Sequence, residues 1–341
     1  MEKTQGSQHD PDLVTVDPRG DLTISIGYPE GICSPKRFLV CSRTLSRVSP
    51  VLERMLYGSF AESKPTSTND SSEWTISLPD VDVSAFALFA AICHGQLARI
   101  PKSLSVDGLF HLTALTHYYD ATALLAPWAD RWLASIQEPS SDDEVEMYRF
   151  LWTSRELGAK RTFEITAHRL VLEGQMRVER DSLHEKLGGH LRETVERIDE
   201  IRESTVGAML ALFRELSDVL VVVDEKPRWC RYASYMGPHR FESMILGSVV
   251  FCLTRAGLWP IPEAADVGES VMALYRQLTS IVIHDIGQAE RKGDDHAQCN
   301  PRGFLLERLQ RVLADMADPL VEGEREYVGK QAQKLGRFPR E

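Results

Sequence analysis

Short β-branched segments alternate with segments of helical period over the first 137 residues. This alternation limits the fold to a small sheet combined with helices. The segment DLTISI (21–26) lies between Gly20 and Gly27 and alternates in side-chain character, as a strand does. RFLVC (37–41) and WTISL (74–78) are predicted as two further strands. The Gly- and Pro-rich stretch between the first two strands predicts a hairpin loop.

Helical spacing follows each of the last two strands. Apolar residues recur at intervals of three and four over 42–57. Ser49-Pro50 lies inside this stretch and predicts the start of a second helix, because proline suits a first helical turn. Residues 84–94 form another predicted helix. Residues 106–117 and 121–135 are strongly apolar and predict a closing helical hairpin.

These segments together resemble the BTB/POZ domain. FLVCSRTLSRVSPVLERMLYGSFAES (38–63) is similar to its signature, in which a strand runs into a helix of defined pattern. The pattern positions are Leu45, Ser49, Pro50, Leu52, Met55 and Leu56. The amino-acid sequence of these segments is most similar to that of fungal BTB proteins. The resemblance implies an α+β fold over 20–137, with a helical bundle flanked by a small sheet.

The same resemblance implies protein–protein interaction as the function, through self-association as a BTB homodimer or docking to the cullin scaffold of a ubiquitin ligase. In cullin-docking members a hydrophobic–x–Glu triplet follows the signature helix. Phe60-Ala61-Glu62 matches that triplet, so Phe60 and Glu62 are the candidate partner-binding residues. An apolar anchor beside a carboxylate is a plausible hot spot. The alternative is that Phe60 packs in the core and Glu62 is a solvated loop charge.

Two features depart from the family pattern. Family members often carry His at the position of Cys41, where together with the residue matching Asp21 it helps to form a charged pocket. Many dimeric members also have an amphipathic helix before the first strand, and residues 1–20 show no such periodicity. Both co-repressor binding and dimerisation by that route are therefore in question.

The predicted layout has four parts. Residues 1–19 form a disordered tail, 20–137 the BTB/POZ domain, 138–143 a linker and 144–341 an all-α region. The start of this region is similar to the helical extension called BACK. Residues 183–203 fit either a coiled-coil seam or an amphipathic helix of their own domain. Further helices are predicted at 206–223, 241–258, 270–283, 304–316 and 322–341.

A structural zinc site is one hypothesis for the second half. Cys230, His239, His296 and Cys299 lie in two polar segments and supply the Cys and His ligands that zinc prefers. Four protein ligands close the coordination shell, so such a metal would join loops rather than catalyse. The alternative is four unrelated surface residues. No other cofactor is predicted.

Charge and composition exclude several classes of function. The net charge is −11, with 11 basic and 15 acidic residues up to Gln137 and 28 and 35 after it. Neither part has the basic surface that nucleic-acid binding needs. No signal peptide or membrane-spanning run is visible, and six sparse cysteines suggest reduced thiols. We therefore expect an intracellular protein, in the cytoplasm or nucleus.

The sequence predicts a non-enzymatic adaptor. It lacks a Gly-rich phosphate loop, G-x-S-x-G and H-E-x-x-H. The BTB part would bind a scaffold or a second copy, and the helical half would recruit a client protein. The alternative is a transcription- or chromatin-associated BTB scaffold without a ubiquitin-ligase role. An enzyme hidden in the second half is a third interpretation.

Overall fold

The structure is a computed structural model, and its fold is α+β. It describes residues 12–27, 35–65, 73–140, 142–175, 185, 187, 189–221, 229, 238–284 and 299–337, with the backbone alone for 238–240. These residues contain one four-stranded sheet and twelve α-helices. The chain divides into two compact units. Unit 1 comprises Met1–Pro139, Tyr148–Phe163 and Glu322–Glu341, and unit 2 comprises Ser140–Met147 and Glu164–Val321.

The sheet belongs to unit 1. Its strands are β1 (Leu13–Thr15), β2 (Leu22–Ile26), β3 (Lys36–Val40) and β4 (Thr75–Leu78). They lie in the order β1-β3-β2-β4. β2 is antiparallel to β3, whereas β4 is parallel to β2 and β1 is parallel to β3. The three strands predicted from sequence are confirmed, with ends that differ by one residue.

The strand β1 corrects one prediction. Residues 1–19 are predicted as a disordered tail, yet Leu13–Thr15 pair with β3. The Val16 amide then donates to the Leu39 carbonyl at 3.0 Å, and the Val16 side chain is buried. Three residues are too few to display strand alternation. Only the pairing with β3 reveals β1.

Five helices of unit 1 lie before residue 140. They are α1 (Ser42–Val48), α2 (Pro50–Tyr57), α3 (Val83–Cys93), α4 (Val106–Tyr118) and α5 (Ala126–Ser135). The predicted break at Ser49-Pro50 is confirmed. Ser49 is the N-cap of α2, and its hydroxyl accepts from the Leu52 amide at 3.0 Å and donates to the Tyr119 carbonyl at 2.5 Å. One hydroxyl thus caps α2 and ties it to the end of α4.

The core of unit 1 lies between the sheet and these helices. Ile24 on β2 has no exposed surface. Phe38 on β3 meets Phe86 on α3 edge to face, with ring centroids 5.1 Å apart. Trp132 on α5 is fully buried, and its indole nitrogen donates to the Pro101 carbonyl at 3.0 Å. Burial of each such side chain contributes roughly 1.5–3 kcal/mol relative to exposure.

The remaining helices begin after Pro139. They are α6 (Glu144–Glu156), α7 (Lys160–Glu173), α8 (Arg192–Val221), α9 (Pro238–Arg255), α10 (Val271–Ser280), α11 (Arg302–Ala314) and α12 (Glu322–Lys334). In unit 2, α8 packs against α9, α10 and α11. The described part of unit 2 has no strand.

Helix α8 decides between the two interpretations of its sequence. The stretches 183–203 and 206–223 are predicted as separate, but 192–221 form one continuous helix. The helix runs through Ser204 and Thr205, whose hydroxyls both donate to the Ile201 carbonyl. Ile198 and Leu210 are buried inside unit 2. The apolar stripe is therefore the core face of an amphipathic helix and not a free coiled-coil seam.

A buried arginine, Arg202, connects several helices within unit 2. The Arg202 side chain on α8 is 1% exposed, and its Nη1 lies 2.6 Å from Glu144 Oε1 and 3.1 Å from Asp199 Oδ1. Its Nε donates to the Leu170 carbonyl at 2.9 Å. A side chain at Gly174 would overlap the guanidinium. A buried charge needs such partners, because the desolvation of an unpaired one costs several kcal/mol.

The last helix, α12, returns to unit 1. Val328 and Gln331 on α12 are buried, and Leu335 just beyond it joins the unit 1 core. Gly158, after α6, has a φ of +63° and lies against Ala332. A Cβ at Gly158 would overlap the Ala332 backbone. Glycine is thus required here both for its backbone conformation and for the close approach of α12.

Replacing Gly158 by alanine tests this close approach. We expect Gly158→Ala to lower the free energy of unfolding by about 1–2 kcal/mol for the left-handed backbone and about 1–3 kcal/mol more for the overlap. Gly95→Ala is the matched control, because Gly95 has a φ of +68° but nothing within 4 Å of its added Cβ. Urea denaturation measures both. Equal losses for the two variants would mean that the close approach contributes nothing.

Candidate functional site

The segment that connects α2 to β4 begins with a tightly bonded turn, residues 58–64, which we call the Phe60 loop. The Ser63 hydroxyl accepts from the Phe60 amide at 3.1 Å and donates to the Gly58 carbonyl at 2.8 Å. The Lys64 amide donates to the Leu56 carbonyl at 2.9 Å. The backbone is therefore fixed by its own bonds. Phe60 points outward with 60% of its surface exposed.

The side chain of Asp21 anchors the end of this loop. Asp21 Oδ2 accepts from Lys64 Nζ at 2.9 Å and from the Ser42 hydroxyl at 2.8 Å. Its Oδ1 accepts from the Ser42 amide at 2.9 Å. Ser42 Oγ also lies 2.6 Å from the Tyr57 hydroxyl. One carboxylate thus joins the start of β2, the start of α1 and the end of the Phe60 loop.

Electrostatics keep Asp21 ionised. Partial burial on its own raises the pKa of the Asp21 carboxyl, but the hydrogen bonds from Lys64 and Ser42 together outweigh it. The net effect lowers the pKa of Asp21 below its ordinary value. Lys64 is held from a second side by Trp74, whose ring lies 5.5 Å from Nζ. The Trp74 indole nitrogen in turn donates to the Glu62 carbonyl at 3.0 Å.

A groove opens beside the far end of β4, and we call it the β4–α4 groove. Its cavity volume is about 350 Å³. It is lined by Leu78, Asp80, Val81, His111, Leu115 and Tyr118, among others. Tyr118, the last residue of α4, is 71% exposed. The groove combines apolar walls with acidic and aromatic groups.

A buried carboxylate lies at the end of α6, also within unit 1. Glu156 has a fully buried side chain, and its Oε1 accepts from Tyr327 at 2.8 Å and from Arg155 at 2.9 Å. Its Oε2 accepts from Gln331 at 3.0 Å and lies 3.1 Å from His117 Nδ1. Burial, and then the Glu156 charge, raise the pKa of Tyr327 above its ordinary value. The cluster holds α12 in place.

The predicted partner-binding residues are both at the surface. Phe60 and the Glu62 side chain are exposed, so the alternative that Phe60 packs in the core is wrong. The loop brings the two together on one short turn. Their role in partner binding stays a prediction.

A histidine contacts the Cys41 backbone, near the place where the resemblance to BTB/POZ domains implies a charged pocket. The Cys41 amide donates to His94 Nε2 at 3.0 Å, and His94 Nδ1 lies 2.8 Å from the Ala90 carbonyl. These two contacts match the tautomer in which Nδ1 donates and Nε2 accepts. His94, at the end of α3, therefore contacts Cys41, the position at which family members often carry histidine. Asp21 is already engaged by Lys64 and Ser42.

The zinc hypothesis falls mostly outside the described residues. Cys230, His296 and the side chain of His239 lie outside them. Cys299 is described and buried, and its carbonyl accepts from the Trp229 indole nitrogen at 2.6 Å. Within the described part of the chain, no three His, Cys, Asp or Glu residues form a group that could hold a metal ion. The zinc site stays a prediction.

Comparisons with protein-family models, with curated proteins and with solved structures find no match to this chain. The described helices include none with the length and apolar character needed to cross a membrane.

Sequence reasoning misses the groove and the Glu156 cluster. Tyr118 follows His117 at the end of a helix, and the Tyr-Tyr pair that it forms with Tyr119 is the one local signal. Glu156 stands on a helix whose neighbouring Thr153 and Ser154 are buried. No local pattern identifies it, because its partners Tyr327 and Gln331 are more than 170 residues away.

The Asp21 anchor predicts a pH-dependent contribution to stability. Because folding lowers the pKa of Asp21, its contribution is present above the unfolded value of about 3.9 and is lost as the pH falls through the folded value. Wild type should therefore exceed Asp21→Asn in urea midpoint at about pH 6, and the gap should narrow below about pH 4. When both proteins also carry Lys64→Met, the difference in urea midpoint at pH 6 should be smaller. A gap that is independent of pH would contradict the assignment.

Proposed function

We propose that the chain is a BTB/POZ-type adaptor that docks a cullin scaffold through unit 1 and recruits a client through unit 2. The single observation that carries this proposal is the Phe60 loop. It presents a 60% exposed aromatic side chain and an exposed carboxylate from a backbone held by internal hydrogen bonds. Leaving such an apolar side chain in water costs free energy, so a partner that buries it gains affinity.

The order of elements in unit 1 supports the proposal. Strands β2 and β3 form a hairpin, α1 and α2 follow with a break at Ser49, and β4 returns parallel to β2. α3 and the pair α4 and α5 complete the helical part. This is the order that the resemblance to BTB/POZ domains implies. The resemblance rests on residues 20–137.

Preorganisation supports the choice of the Phe60 loop as an anchor. Asp21, itself held by Ser42, accepts from Lys64, and Trp74 donates to the Glu62 carbonyl, so groups outside the loop fix it before any partner arrives. Binding then orders few additional side chains, and the entropic cost of association falls. The β4–α4 groove begins where β4 ends, while Trp74 lies directly before β4. We propose that one partner contacts both, because four strand residues span only about 13 Å.

Substitution in the Phe60 loop tests the docking proposal. We expect Phe60→Ala/Glu62→Ala to reduce co-purification of the cullin paralogue that recruits BTB adaptors by about tenfold or more, since hot-spot residues typically contribute 2 kcal/mol or more. Folding should be retained, because substitutions at exposed positions usually change stability by less than about 0.5 kcal/mol. Pull-down with purified cullin, with circular dichroism of each variant, measures both effects.

A matched control variant removes one exposed apolar and one exposed acidic side chain outside the Phe60 loop. Leu97→Ala/Glu53→Ala removes the same side-chain types elsewhere in unit 1 and should bind as wild type does. Equal binding by the wild type and the Phe60→Ala/Glu62→Ala variant would remove the loop from the docking surface. Co-purification of chromatin factors without any cullin would favour the transcription-associated scaffold instead.

A further inference from the structure

A second groove lies within unit 2, between α8 and α11, and we call it the α8–α11 groove. Its cavity volume is about 420 Å³, which suits two or three side chains of a bound segment. Ala208 and Leu212 line the α8 side, and Arg308, Arg311 and Val312 line the α11 side. Met316, just after α11, also lines the groove, and its flexible thioether side chain can adapt to varied apolar side chains of a ligand.

The basic groups in this groove are only partly used by the fold. Among the described residues no carboxylate lies within 4.0 Å of Arg308, and its Nε is buried without a hydrogen-bond acceptor. The Arg308 guanidinium lies 5.3 Å from the ring of Phe304, which is 46% exposed. Because that Nε has no solvent contact, a ligand would meet the remaining part of the Arg308 side chain, which is partly exposed and lines the groove.

Among the residues that the structure describes, the Arg311 guanidinium pairs only with an exposed carboxylate. Its Nη2 lies 2.8 Å from Glu307 one turn earlier on α11, and both side chains are more than half exposed. An exposed ion pair of this kind contributes little and is readily exchanged for another carboxylate. Asp315 is the acidic group in the lining, so two arginines face one carboxylate. The charged residues of the lining therefore sum to +1, in a chain of net charge −11.

The two side-chain hydroxyls that line the groove already donate within their own helix. The hydroxyls of Ser204 and Thr205 both donate to the Ile201 carbonyl of their own helix. Recognition of an anion therefore falls to the two guanidinium groups, whose planar donors match carboxylate oxygens. The apolar walls at Leu212 and Val312 require the same ligand to bring aliphatic or aromatic side chains.

We propose that the α8–α11 groove binds an acidic amphipathic peptide segment of a partner protein, with carboxylates on Arg308 and Arg311 and apolar side chains on Leu212, Val312 and Met316. This inference deepens the proposed function, because it identifies the client surface of unit 2 and the chemistry of the client. It doesn't depend on the Phe60 loop, so cullin docking can fail while the groove proposal holds, and the reverse.

Selection from a random 12-residue peptide library on the immobilised full-length chain tests the proposal. We expect enrichment of peptides in which Asp or Glu flanks apolar residues. Labelled copies of the selected peptides should bind the wild type in solution by fluorescence anisotropy. Arg308→Glu/Arg311→Glu should weaken that binding about tenfold or more, because two attractive charges become repulsive. Raising the salt concentration should weaken it as well.

Two further variants separate the groove from general effects. Ala208→Trp leaves both arginines in place and fills the groove, and it should also weaken binding about tenfold or more. Arg276→Glu on α10 makes one Arg→Glu charge reversal, half the charge change of the double groove variant, at an exposed site outside the groove and should bind within about twofold of wild type. Absence of acidic enrichment, or undiminished binding by both groove variants when circular dichroism shows them folded, would overturn the proposal.

Discussion

A carboxylate with no exposed surface determines how unit 1 is assembled. Glu156 at the end of α6 is buried, and a buried charge is tolerated only when hydrogen-bonding partners replace water. Arg155 supplies a charge from the same helix, but Tyr327 and Gln331 come from α12, more than 170 residues later in the chain. Without α12 the Glu156 carboxylate would lose two of its donors. The fold of unit 1 is therefore complete only when the last helix has docked.

The same buried cluster bears on the proposed docking surface. His117 lies 3.1 Å from Glu156, while the next residue, Tyr118, lines the β4–α4 groove. Successive residues on a helix point about 100° apart, so one end of α4 serves a buried cluster and an exposed groove. The Ser49 hydroxyl fixes this end again through the Tyr119 carbonyl. The groove wall is thus held by two independent sets of hydrogen bonds, as a preorganised binding surface requires.

Local patterns predicted the elements of unit 1, and distant pairings account for what they missed. Alternation located β2, β3 and β4, and Ser49-Pro50 located the break between α1 and α2, because those signals lie within a few residues. β1 is too short to show a period, and its partner β3 begins more than twenty residues later. The helix α12 was predicted, but its packing on unit 1 was not, because its buried face consists of a few residues such as Val328 and Gln331. At the candidate site, the Phe60 triplet was visible in sequence, whereas its anchor required the contact between Asp21 and Lys64.

The proposed binding surfaces of the two units differ in sign. The Phe60 loop and β4–α4 groove offer Glu62, Asp80 and Asp82 beside exposed aromatic side chains, whereas the α8–α11 groove offers Arg308 and Arg311 beside aliphatic ones. A segment that complements one surface meets like charges on the other, and such repulsion separates partners more sharply than shape alone. An adaptor needs this separation, because it must hold a scaffold and a client at once without exchanging them. Under the proposed function, the local charge at each surface, rather than the net value of −11, is what would separate the two partners.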